Sequence, residues 1–207
     1  MFYQTYFIKV SVFKGGGRLK DDHRVRVTKI IIKNTFLSLL SHKKIKDITV
    51  KELCSFANIN RGTFYAHYTD IYDLLSKIEN ELLENFKLKL QPLSNSTKEN
   101  IISIDVCTSI FNFIKENMDI CSIILSENLD SDILYKMLEL GKEQCIEVYS
   151  KIFINSSKDD IENYYYFVSY GCLGLLKKWI NENMKTPIED IGKTAEILMT
   201  KGIKFLK

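Results

Sequence analysis

Proline is nearly absent from this chain. Pro92 and Pro187 are the only two in 207 residues, and glycine numbers nine. A β-sandwich needs frequent turn punctuation, so this scarcity argues against one and favours long helices. No apolar run approaches the ~18 residues needed to cross a bilayer. The start lacks the basic region, clean apolar stretch and cleavage site of a secretory leader. Neither a membrane partner nor secretion is expected, and a cytoplasmic location is. CxxC pairs are missing too. Cys54, Cys107, Cys121, Cys145 and Cys172 are odd in number, scattered and set among apolar residues. They read as buried free thiols in a reducing compartment, not as a disulfide framework or a metal site. His23, His42 and His67 have no partners at metal-ligand spacing. No nucleophile, base and oxyanion donor converge in the sequence, so neither enzyme chemistry nor a cofactor is expected.

What is present is apolar material and unevenly placed charge. Hydrophobic residues make up 45% of the chain, ample for a core. From Arg18 to His67 there are eleven Lys/Arg against four Asp/Glu, a net of +7, and from Tyr68 to Lys207 sixteen against twenty-two, a net of −6. A basic head on an acidic body points to a polyanionic partner, with ordinary solvated charge as the bland alternative.

Residues 1–20 read as an N-terminal extension. The aromatic and β-branched run before three glycines fits a short strand, a disordered tail or a segment foreign to the native protein. Everything after residue 20 reads as all-α, about nine helices. A first helix is expected over Asp21–Lys43, with Asp21 and Asp22 facing the positive end of its dipole. Ile32, Phe36, Leu39 and Leu40 recur at helical spacing. Thr49 and Glu52 fit a capping box at the start of a short helix. Asn58 tolerates the left-handed turn that ends it. Asn60 is placed to cap a second short helix over Arg61–Tyr68, in which Phe64 and Tyr68 share a buried face. Asp70 can cap a fourth helix carrying Leu74, Leu75, Ile78 and Leu82. Longer helices fit Lys98–Asn117, Asp130–Ile154, Asp160–Met184 and Pro187–Phe205. The organisation expected is 21–69 for a helix-turn-helix domain, 70–92 for a connecting helix and 93–207 for a helical ligand-binding and dimerisation domain.

Two short helices joined by a tight turn and backed by a longer one make a helix-turn-helix, which carries the second helix into a DNA major groove. That gives the run NINRGTFYAHY a role. Arg61 can pair bidentately with a guanine edge, Gly62 lets the helix start approach closely, and Thr63 can meet a thymine methyl or a phosphate. Lys51 points toward the same groove. Thr49, Asn60, Tyr65 and His67 are candidates for phosphate oxygens, which fix register and not sequence. Each has an ordinary reading as well: Tyr65 as half-buried core, Thr49 as a cap, Arg61 as a solvated charge, His67 as a surface histidine. It is their order, inside a basic segment, that favours a DNA-reading surface.

The run ITVKELCSFANINRGTFYAHYTDIYDLL, with RVRVTKIIIKNTFLSLL before it, resembles the N-terminal domain of the TetR family of bacterial transcriptional regulators. The matching features are the Thr49 cap, Leu53, Ile59, the Gly62-Thr63-Phe64-Tyr65 run, His67-Tyr68 and Leu74. The resemblance implies base reading by Lys51, Arg61 and Thr63, and phosphate contacts from Thr49, Tyr65 and His67. Asn58 stands where glycine is usual in the family. Ile71 stands where many members carry a phosphate-binding lysine, and Lys77 is not an obvious substitute.

The resemblance also implies a homodimer and a small-molecule effector of unknown identity. Tyr170, Gly171, Leu173, Gly174 and Trp179 are the dimer-interface candidates, with two glycines three apart on one helix face. Cys107, Phe111, Ile114, Cys121, Met137 and Tyr166 could line a pocket, or be simple core. The stretches YGCLGLLKKWI and GKTAEILMTKG also resemble a branch typified by a dihydroxyacetone-kinase activator. The function expected is a sequence-specific, ligand-responsive repressor on a pseudo-palindromic operator. The alternative is a ligand-independent DNA-architectural or protein-interaction module.

Overall fold

The structure, a computed structural model, describes residues 17–91, 104–125 and 131–202, with side chains over 23–91, 109–125 and 131–199. Nine α-helices and no strand occur among the described residues. They are α1 (Gly17–Leu40), α2 (Val50–Phe56), α3 (Arg61–Tyr65), α4 (Ile71–Leu90), α5 (Ile104–Glu116), α6 (Met118–Leu125), α7 (Ile133–Ile152), α8 (Lys158–Asn181) and α9 (Ile188–Gly202), with a 3-10 turn at Ile45–Asp47. The proposed extension lies outside the described residues up to residue 16.

Helix α1 begins at Gly17, four residues before the expected start. Arg18, Leu19 and Lys20 are good helix formers with no stop signal among them. Asp21 and Asp22 therefore fall in the second turn and not at the dipole end. Ile32, Phe36 and Leu40 descend one face of α1 and are essentially sealed, as are Leu53, Phe64 and Leu74 from α2, α3 and α4. Burying each such side chain is worth roughly 1.5–3 kcal/mol, so this cluster fixes the small helices that are too short to be stable alone. Farther along, α5 packs on α9, α7 on α8, and α4 on both α5 and α7.

Local chemistry sets the ends. Thr49 Oγ1 accepts from the Glu52 N–H at 3.2 Å. Only that half of the capping box forms, because the Glu52 carboxylate turns to Lys43. At α8 the box is complete between Ser157 and Asp160. Asp70 accepts from the Asp73 N–H at 2.8 Å at the start of α4. Asn60 occupies the N-cap position of α3, but its side chain makes no cap bond, contrary to expectation. The Thr63 amide, one that such a cap would satisfy, already bonds to the Asn60 carbonyl, which also takes the Phe64 amide. Helix α3 is also shorter than expected. His67 N–H bonds to Phe64 O at 2.9 Å, tightening the chain into a turn before Tyr68.

One helix was not expected: α6 begins directly where the helix expected over Lys98–Asn117 ends. Asn117 separates α5 from α6, its Nδ2 donating to Phe113 O at 2.8 Å and closing off the α5 end.

Candidate nucleic-acid interface

The turn between α2 and α3 is a Schellman motif. Asn58 sits at φ 51°, its N–H bonds to Ser55 O at 3.3 Å, and the Ile59 N–H reaches Cys54 O at 3.0 Å. Two orphan carbonyls are thereby satisfied, and Ile59 is drawn against the core. Asn fills the position because its short polar side chain tolerates the left-handed region. The motif fixes the angle at which α3 leaves α2.

Helix α3 then sorts its residues. Phe64 is fully buried and Tyr68 nearly so, their ring centroids 5.5 Å apart. Arg61, Gly62 and Tyr65 face outward, Tyr65 at 56% exposure, while Thr63 and His67 are half-buried. Lys51 on α2, Thr49 at its N-cap and Asn60 in the turn are exposed too. Thr63 shares a shallow polar depression with Ser55, Asn58 and Asn60. A Cβ on Gly62 would meet nothing within 4 Å. The chain's own packing does not demand glycine there, so the open space is available to an outside molecule. Among the described residues, ion pairs commit Lys33 to Glu81 and Lys43 to Glu52. Lys51 and Arg61 carry no such pair.

Ile71, standing where a phosphate-binding lysine is common in the family, is buried at the start of α4. Lys77 is no replacement: its Nζ is 2.9 Å from Asp73 Oδ2 and 3.0 Å from the His67 carbonyl.

On α8, Phe167, Tyr170, Gly171 and Gly174 turn outward, Phe167 at 78% exposure, and the two glycines have nothing within 4 Å of a Cβ. Helix α9, packed beside α8, also presents Ile197 and Leu198 outward. Two of the interface candidates are not on this face. Leu173 turns inward toward a cavity. Trp179 is buried, its Nε1–H donating to Thr186 O at 2.7 Å, because the chain folds back after α8 through Asn183 and Met184, both at positive φ.

That cavity, about 180 Å³, lies between α4, α5, α7, α8 and α9. Phe111, Ile114 and Met137 line it as expected. Cys121 does not, since it is buried on α6 beyond the Asn117 break. Tyr166 does not either. It follows Tyr165 on α8 and so points about 100° away, where its Oη lies 3.2 Å from Lys142 Nζ. The Cys107 side chain lies outside the described residues. Tyr165, Val168 and Met199 are wall residues that the sequence did not announce. Tyr165 Oη donates to Leu138 O at 2.6 Å, through the space left by Gly141, where a Cβ would lie 2.6 Å from that oxygen. Burial pushes the wall thiols of Cys145 and Cys172 up to about 12 and about 11.

A helix-turn-helix with outward polar residues, at the front of an all-helical chain, defines the class: a DNA-binding regulator. Residues 99–201 match the TetR-type model described as "Transcriptional regulator C-terminal region". Taken with the helix-turn-helix, this places the chain in the TetR family of transcriptional regulators, whose members bind DNA.

Solved structures share the fold. The fatty acid degradation regulator FadR from Bacillus halodurans is 13% identical over 90% of this chain and 96% of its own, at a TM-score of 0.64. A TetR transcriptional regulator from Streptococcus agalactiae 2603V is 22% identical over 88% and 99%, at 0.57. The dihydroxyacetone kinase operon activator DhaS, the branch that the α8 and α9 stretches resemble, is 15% identical over 87% and 98%, at 0.53. No curated protein matches the sequence.

Proposed function

We propose that the chain is a cytoplasmic, homodimeric, ligand-responsive repressor. Residues 21–69 serve as the reading head, 70–92 as the connector, and 93–207 as the part that dimerises and holds an effector. Arg61, Gly62 and Thr63, with Lys51, read base edges, and Thr49, Asn60, Tyr65 and His67 hold phosphates. The observation that carries this is the outward set on α3 beside Lys51, which has no ion pair among the described residues, held at a fixed angle by the Schellman turn. The α8 face of Phe167, Tyr170, Gly171 and Gly174 pairs with its copy, so the two heads meet half-sites one turn or a multiple apart, ~34–36 Å. Effector binding changes that spacing and releases the DNA.

Selection of tight binders from random duplexes at fixed salt tests the proposal. A pseudo-palindromic motif should emerge. Retention of DNA with no enriched motif would mean binding by charge alone, as in an architectural module.

A further inference from the structure

We infer that the cavity between α4, α5, α7, α8 and α9 takes a small, uncharged, predominantly apolar molecule and rejects carboxylates. This rests on the proposed effector site and names its ligand class. The described wall is Phe, Leu, Ile, Met and Val with three tyrosines, Ser169 and two cysteines, and no charged side chain is part of it. Three of its four hydroxyls are turned to the protein's own carbonyls: Tyr164 Oη donates to Met199 O at 3.0 Å, Tyr165 Oη to Leu138 O at 2.6 Å, and Ser169 Oγ to Tyr166 O at 3.2 Å. Burial keeps the Cys145 and Cys172 thiols protonated at neutral pH.

Lys142, on the same helix as several wall residues, stands outside the wall. Glu139 at 2.6 Å and Glu162 at 3.6 Å balance it. An anion in the cavity would lose its water and find no cation in return. A neutral apolar guest loses little. The size agrees: about 180 Å³ is on the scale of the ~150 Å³ apolar cavity that stays dry and admits benzene. It is well below the roughly 300–1,000 Å³ of drug-sized sites.

The test uses the full-length chain with n-octanol and octanoate as a matched pair, titrated by calorimetry at pH 7. Octanol should bind once per protomer, and octanoate about 100-fold more weakly or worse, as expected for an unpaired buried charge. Val168→Phe should fill the cavity and abolish octanol binding, and Cys172→Leu, a milder change, should reduce it by about tenfold. Equal binding of the two probes, lost in both variants, overturns the ligand class while leaving the site in place. Binding of neither probe overturns the class and the site together. Octanol binding untouched by both variants places it elsewhere and also overturns the inference. Octanol held in the cavity with no change in operator affinity supports the ligand class and overturns the effector role alone.

Discussion

Lys77 holds His67 by its main chain. The ammonium donates to the His67 carbonyl at 3.0 Å and to Asp73 Oδ2 at 2.9 Å, and lies 5.2 Å from the Tyr68 ring centroid. The first turns of α4 are thus tied to the chain leaving α3. This link joins α4 to the α3 end in addition to the core that the two helices share.

The link has a pH signature. The hydrogen bond from Lys77, followed by that from the Thr69 N–H, holds the Asp73 carboxyl below the usual carboxylate range. A depressed folded-state pKa adds stability above the unfolded-state value, about 3.9 for Asp, and that stability is lost as pH falls through the folded-state value. Thermal unfolding below about pH 4 should therefore show an acid limb that is shallower in Asp73→Asn. An identical limb in the two proteins removes Asp73 from the account.

Asn58 should resist replacement by alanine. At φ 51° a Cβ without a compensating polar side chain is strained. Asn58→Ala should cost about 1 kcal/mol, and Asn58→Gly should leave stability unchanged or slightly raised. Urea unfolding of the pair decides it, and equal stabilities would show that the turn is not held by backbone conformation.

Arg61→Ala should weaken binding to a selected operator by roughly 1–3 kcal/mol and relax preference at one base position. A mobility shift at fixed salt measures this. Unchanged affinity would return Arg61 to the status of a solvated charge.

If the proposed α8 face forms the dimer, Phe167→Arg should leave a monomer in sedimentation and lower operator affinity by about tenfold or more, since paired half-sites bind together. A dimer that survives the change places the interface elsewhere.

The elements legible in the sequence are those with local causes. Thr49 and Asp70 cap their helices, Asn58 turns the chain, and Phe64 and Tyr68 share a face four residues apart. Each is set by neighbours within a few positions. The helix expected up to Asn117 does end there, but no glycine or proline stands between it and α6, so nothing local announces the second helix. The cavity wall draws single residues from five helices, and which of Tyr165 and Tyr166 faces it depends on how α8 settles on α7. Leu173 and Trp179 read as surface candidates because their stretch is apolar. They turn inward because other parts of the chain close over them.

The buried thiols have a chemical consequence of their own. Sulfur reacts as thiolate. With its value pushed up to about 11, Cys172 holds roughly one thiolate in ten thousand molecules at pH 7, against a few per cent for an ordinary cysteine. Cys145 and Cys121, pushed up to about 12, hold fewer still. Peroxides and alkylating agents therefore find little thiolate to attack at Cys121, Cys145 and Cys172. Those three thiols are thus poorly suited to sense oxidants.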